Sequence, residues 1–325
     1  MGEYTVQSGD SLWAIVKNNY SGLSNAQIAD KINEIATLSN ISDPNKISVG
    51  LKLILPEVTN ENTLVSTDLE EDITEEEPAV SNNTKQDITA QNKTGKSPKA
   101  RIEEIQDKKP EPVLDKDGNV VANIRYFESD KTGSLTGLTI MVNSGHGGQS
   151  TSDGIFDPGA VENKSGYEEW AINYAYAEEL VEKILNEGGN VVFAQGHKET
   201  MANAVIDFAN TYGNADNSNL RVVSLHCDAT GEKSTTASGV TYYYYESEES
   251  GKFANNLASA AQKEGLNVRN TSQLENKLCR VAEEQNINSV LIEMGFLNNT
   301  DDLHNIIEDG DFQDTLLNSI VKGLG

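Results

Sequence analysis

The stretch Thr139-Ile140-Met141-Val142-Asn143-Ser144-Gly145-His146-Gly147-Gly148 decides the fold. A short apolar run enters a glycine-bracketed histidine. Apolar runs of this length, stopped by glycine, read as strands buried on both faces. The pattern recurs at Asn190-Val191-Val192-Phe193-Ala194, after the Gly188-Gly189 break, and at residues 221–225, 240–244 and 289–294. Between the first two runs, residues 168–187 carry Ile172, Tyr176, Leu180 and Ile184 at intervals of four, the spacing of one helix face. Strands alternating with helices predict an α/β domain with a mostly parallel central sheet flanked by helices.

Open α/β sheets place their sites at the carboxyl ends of the strands. Of the four histidines, His146 follows the first strand and His226 ends another, in Ser224-Leu225-His226-Cys227-Asp228-Ala229. Glu293 lies near the end of Val290-Leu291-Ile292-Glu293-Met294-Gly295. A carboxylate within such an apolar run is costly unless it is paired or binds a metal. Two imidazoles, a carboxylate and an open position form a catalytic zinc set. The third ligand is then another carboxylate, if Glu293 is to stay free as a base. A structural polar cluster fits the same spacing. His197 and His304 read as structural or surface residues. Cys227 reads as a packed, reduced thiol, because adjacent strand residues face opposite ways.

The chain has 325 residues, with 51 Asp+Glu against 25 Lys+Arg, a formal net charge of −26 and a pI near 4.4. Such a polyanion is repelled by nucleic acid and by anionic lipid. Two cysteines, Cys227 and Cys279, exclude a disulfide scaffold. No apolar run approaches the ~18 residues of a membrane span, so no membrane insertion is expected. The start, Met1-Gly2-Glu3-Tyr4, lacks the basic and apolar regions of a secretory signal.

Composition divides the chain. Residues 58–112 hold no Phe, Trp or Tyr and four of the seven prolines, with acidic runs at 70–72 and 75–77. Such a segment buries too little apolar area to offset chain entropy, and reads as an acidic flexible linker over 58–132. A small hairpin is expected near 113–127, around Asp117-Gly118. Residues 1–57 read as a small α+β domain of order βααβ. Its first strand is Tyr4-Thr5-Val6. A helix capped by Asp10 or Ser11 carries Leu12, Trp13, Ile15 and Val16. A second helix carries Ile28, Ile32 and Ile35, and Asp43-Pro44-Asn45 turns into a closing strand over 47–55.

Tyr4-Thr5-Val6-Gln7-Ser8-Gly9-Asp10-Ser11-Leu12-Trp13 and Ile47-Ser48-Val49-Gly50-Leu51-Lys52-Leu53-Ile54-Leu55-Pro56 resemble the two ends of a LysM domain. The resemblance implies binding of N-acetylglucosamine-containing glycans, chiefly peptidoglycan and chitin. The implied groove lies between Gly9, Asp10, Ser11, Leu12 and Ile41, Ser42, Asp43, Pro44.

Residues 138–325 carry Gly145-His146-Gly147-Gly148, Asp157-Pro158-Gly159-Ala160, Glu169-Trp170-Ala171-Ile172-Asn173, Ser224-Leu225-His226-Cys227-Asp228-Ala229, Gly239-Val240-Thr241-Tyr242 and Ile292-Glu293-Met294-Gly295-Phe296-Leu297-Asn298-Asn299. In that order they resemble the zinc N-acetylmuramoyl-L-alanine amidases of the Amidase_3 type. The resemblance implies one Zn2+ per chain, held by His146, Glu169 and His226, and a catalytic Glu293. The resemblance prefers Glu169 over Glu168 because the family pattern has Asn four residues after the ligand, where Asn173 stands. Three departures bear on fine contacts. Asn143-Ser144 replaces Asp-Pro, with the loss of a carboxylate that could orient His146; Asp228 replaces Asn; and Gln195-Gly196-His197 stands where Thr-Arg is usual.

The implied activity is hydrolysis of the amide between N-acetylmuramic acid and L-alanine of the stem peptide by zinc-activated water, targeted to the wall by LysM across residues 58–132. Peptidoglycan, as glycan and as muramyl peptide, is the implied partner. Without a signal, the expectation is synthesis in the cytoplasm and action at the cell wall after lysis, particle delivery or non-classical export. That fits a phage or prophage endolysin, a particle-borne enzyme with phage or injection-particle components as partners, or a secreted autolysin without its signal. The rival readings are an inactive wall-binding structural component and a zinc peptidase acting on stem peptides.

Overall fold

The computed structural model describes residues 2–6, 12–20, 31–32, 34–36, 38–39, 41, 50–56, 96–214 and 216–325, the side chains of residues 13, 14, 17 and 18 excepted. The chain divides into two compact units, one on each side of residues 80/81.

In the N-terminal unit, β1 (Gly2–Thr5) pairs antiparallel with β2 (Lys52–Leu55), from Gly2↔Leu55 to Thr5↔Lys52. Helix α1 (Leu12–Asn19) turns Leu12, Ile15 and Val16 inward, an i, i+3, i+4 set. They bury with Val6, Tyr20, Ile35 and Leu53. The Tyr20 hydroxyl donates to the Pro56 carbonyl at 2.7 Å, tying the end of α1 to the end of β2. These contacts agree with the outer elements of the expected βααβ order. Ile28, the Asp43-Pro44-Asn45 turn and residues 57–95 lie outside the described residues.

The larger unit corrects the expected linker. Helix α2 (Pro98–Gln106) falls within it, yet is capped by Ser97, starts with proline and buries Ile102 and Ile105. Two isoleucines three apart suffice for docking when the surface of a larger core receives them. The α2 Arg101 pairs with the buried Glu178, and Lys99 reaches Glu308 at 2.8 Å. Among the described residues, 96–132 therefore pack with 133–325 in the larger unit. The hairpin forms as expected: β3 (Val113–Leu114) pairs with β4 (Val120–Val121), with Gly118 in a left-handed conformation, φ +83°.

Among the described residues, one seven-stranded sheet organises this unit. Its strands are β5 (Asn123–Phe127), β6 (Thr139–Ser144), β7 (Asn190–Gln195), β8 (Leu220–Asp228), β9 (Val240–Tyr244), β10 (Val268–Gln273) and β11 (Asn288–Phe296). The spatial order is β10-β9-β11-β8-β6-β7-β5. Pairings β7/β6, β6/β8, β8/β11 and β9/β10 are parallel. Those of β5 with β7 and β9 with β11 are antiparallel, so the sheet is mixed but mostly parallel.

Strand alternation assigns the two faces. Ile140, Val142, Val191 and Phe193 pack on one side with helices α3 (Glu169–Asn186), α5 (Glu248–Lys263), α7 (Thr300–Glu308) and α8 (Gly310–Leu324). Met141, Val192 and Ala194 pack on the other with α4 (Lys198–Tyr212) and α6 (Lys277–Glu284). With both faces covered, the strands become continuous apolar runs. The parallel strands β6, β7, β8 and β11 deliver their carboxyl ends to one edge.

Candidate metal centre

His146 leaves the end of β6 in a left-handed conformation, φ +64°, unusual for a residue with a Cβ. That turn folds its ring back over the sheet edge toward His226 at the end of β8; the ring centroids are 4.9 Å apart, edge to face. Glycine at 145 permits the approach: a Cβ there would lie 2.3 Å from the His226 ring.

Glu169 opens α3 and is 3 % exposed. Its carboxylate lies between the two imidazoles, with Oε2 3.3 Å from His146 Nε2 and Oε1 3.0 Å from His226 Nδ1. It also accepts from the Ala160 N–H at 2.8 Å, the Cys227 N–H at 3.0 Å and Asn173 Nδ2 at 3.2 Å. The same Asn173 amide donates to the Gly145 carbonyl at 3.1 Å, tying α3 to the loop that carries His146. Asn173 thus serves Glu169 directly, one helical turn away. Glu168 faces elsewhere, accepting from Trp170 Nε1 at 2.7 Å and Lys109 at 3.2 Å.

Asp157 completes the frame. Its Oδ2 lies 2.9 Å from His146 Nδ1, leaving Nε2 turned toward Glu169. Burial lowers the His146 pKa, but the Asp157 and Glu169 carboxylates outweigh it and raise it to about 10. Burial likewise pushes Glu169 up, and the imidazoles of His146 and His226 hold it well below the usual carboxylate range. The same field that retains a proton on His146 favours a metal cation.

Ligand atoms from His146, Glu169 and His226, one per residue, all lie within 4.8 Å of one another. Two imidazoles with a carboxylate suit a divalent metal such as zinc. Glycine at 159 leaves room beside them, since a Cβ there would fall 2.6 Å from Glu169 Oε2. Glu293 stands next to this group on β11, in register with His226 on β8 and Thr241 on β9. Its Oε2 is buried without a hydrogen-bond partner among the described residues. Burial, and then the charges of Glu169 and Asp228, push its pKa well above the usual range.

The structure thus brings together His146, Glu169, His226 and Glu293. Asn143, where the carboxylate of the Asp-Pro pattern is lost, bonds to neighbouring strands. The Asn143 amide donates to the Ala194 carbonyl at 3.1 Å and accepts from Ser224 at 2.6 Å, joining β6 to β7 and β8. Asp157, in the quoted Asp157-Pro158-Gly159-Ala160 motif, supplies the carboxylate instead; its signal was present in sequence but had no assigned role. Cys227 is buried and free, as expected, and Cys279 packs on the opposite face of the sheet. His197 caps α4, and His304 is exposed. In the other unit, Leu12 is buried and Ile41 partly so, while Gly9, Asp10, Ser11, Ser42, Asp43 and Pro44 lie outside the described residues.

Residues 140–325, more than half of the chain, match the family model for N-acetylmuramoyl-L-alanine amidase, Amidase_3. The chain belongs to this amidase family. Residues 4–56 match the LysM domain model. The chain is similar to the probable cell wall amidase LytH of Staphylococcus saprophyticus, with 27 % identity over 187 residues, 57 % of each protein. It therefore spans little more than half the length of that curated relative. Among solved structures, an N-acetylmuramoyl-L-alanine amidase from Clostridium difficile 630 is 24 % identical, covering 58 % of this chain and 95 % of that one at a TM-score of 0.48. The catalytic domain of the amidase CwlV from Paenibacillus polymyxa var. colistinus is 23 % identical, covering 57 % and 95 % at a TM-score of 0.45. The amidase match starts within β6, so α2, the β3–β4 hairpin and β5 all precede it.

Proposed function

We propose that this amidase-family chain is a zinc-dependent peptidoglycan hydrolase that cuts the amide between N-acetylmuramic acid and L-alanine. The observation that carries the reading is the cluster of His146, Glu169 and His226 beside a buried, unpartnered Glu293. The three clustered residues would hold one zinc ion, which when bound polarises the scissile carbonyl and acidifies water. Asp157 holds the His146 ring by Nδ1, and Asn173 holds the Glu169 carboxylate. Glu293 takes the proton of the attacking water and returns it to the leaving amine of L-alanine. A raised pKa makes its carboxylate the stronger base for taking that proton.

The LysM unit, residues 1–57, would bind glycan strands of the same wall, with Gly9, Asp10, Ser11, Leu12 and Ile41, Ser42, Asp43, Pro44 along the groove. A wall-bound LysM raises the local concentration of the hydrolase at its substrate. The test is metal analysis of the purified chain with wall digestion before and after chelation. One zinc per chain and chelator-sensitive release of amino groups are expected, and His226→Ala is expected to lose both. Full activity in exhaustively demetallated protein refutes the reading.

A further inference from the structure

Glu169 is fixed by its own backbone as well as by its carboxylate. Its N–H donates to the Ala160 carbonyl at 2.8 Å, and the next N–H, Trp170, to the Pro158 carbonyl at 3.2 Å. These bonds hold one side of the segment that leads into α3. The other side is held from outside the family-matched region. Gln106, the last residue of α2, accepts from the Glu168 N–H at 2.8 Å and donates to the Gly166 carbonyl at 3.0 Å. One side-chain amide thus bridges the two residues that flank Tyr167, immediately before Glu169. Neighbours on the same stretch reinforce it: the Tyr167 hydroxyl donates to Glu103 at 2.9 Å, and Lys109 pairs with Glu168 at 3.2 Å. The α2 helix is itself anchored by Ile102 and Ile105 in the main core and by the Arg101–Glu178 pair further along α3.

We propose that α2 is a strut for the metal centre and that Gln106 is a positioning residue for Glu169. A ligand carboxylate at a helix N-terminus moves with that terminus. Groups that orient ligands typically govern metal affinity by ~10–100-fold when they touch the ligand directly. Gln106 acts one residue further out, so a loss at the lower end, about tenfold, is expected. The proposal rests on the zinc reading above, and its test reads zinc affinity directly.

Gln106→Met preserves the length of the side chain and removes both hydrogen bonds. Zinc affinity is measured on the full chain by competition with a chromophoric chelator, below the unfolding transition of each variant. Ile102→Val, on the same helix but away from residues 166–168, reports what loosened packing alone does. The expected result is about tenfold weaker zinc binding in Gln106→Met with near wild-type affinity in Ile102→Val. Gln106→Glu keeps the acceptor for the Glu168 N–H and is expected to fall between Gln106→Met and wild type. Affinity in Gln106→Met within twofold of wild type overturns the strut, and so does equal weakening in Gln106→Met and Ile102→Val. If the wild-type chain itself binds no zinc, the failure belongs to the metal reading.

Discussion

At the residue scale, the proposed reading separates metal binding from proton transfer. His146, Glu169 and His226 face one another, whereas Glu293 has a buried oxygen with no hydrogen-bond partner among the described residues. That separation makes a prediction. Glu293→Gln should keep zinc, because Glu293 lies outside the ligand cluster, and should lose turnover by about 10²–10⁴-fold, the usual effect of removing a general base. Zinc content and initial rates on purified walls check both halves. Loss of zinc on that substitution would mean that ligand and base have been exchanged. Glu169 could be told from Glu168 in sequence by the family pattern, which has Asn four residues on; in the structure that Asn173 is its hydrogen-bond partner. Asp157 could not be assigned, because a loop carboxylate eleven residues from a histidine has no periodic signature. Asn143, next to the His146 motif in sequence, spends its side chain on cross-strand bonds.

At the element scale, legibility followed burial. Strands β6, β7, β8, β9 and β11 are apolar runs sandwiched between helices, and the sequence marks each one. The edge strands were harder to see. Strand β10, Val-Arg-Asn-Thr-Ser-Gln, is polar and largely exposed, and β5 precedes the expected boundary. Helix α2 was hidden because its two buried isoleucines stand among Lys, Arg and Glu. The order of strands in the sheet depends on long-range pairing that no local pattern encodes. The corrected boundary can be tested by truncation. A fragment of residues 96–325 should unfold cooperatively near the transition of the parent catalytic unit. One of residues 133–325 should melt lower and associate, because it uncovers the pairing edge of β7 and the core around Ile102. Thermal melts with light scattering compare them, and equal melts would return the boundary to 133.

At the scale of the whole molecule, the two units have separate cores. Val6, Leu12, Ile15, Val16 and Leu53 form the small core, and the two faces of the seven-stranded sheet form the large ones. Each unit is therefore expected to act alone. Deleting residues 1–57 should leave the rate on a soluble muramyl peptide within about twofold of the full chain and sharply reduce sedimentation with walls, because tethering acts through effective concentration. Unchanged sedimentation would remove the LysM unit from wall binding. The central claim concerns the bond that is cut, since fold and metal set leave an amidase and a stem-peptide peptidase chemically alike. Mass spectrometry of products released from purified peptidoglycan tests it most directly. The account predicts free stem peptides that begin with L-alanine, alongside glycan strands bearing unsubstituted lactyl carboxylates, both suppressed by chelator. Fragments cut within the stem, with L-alanine still joined to muramic acid, would contradict it.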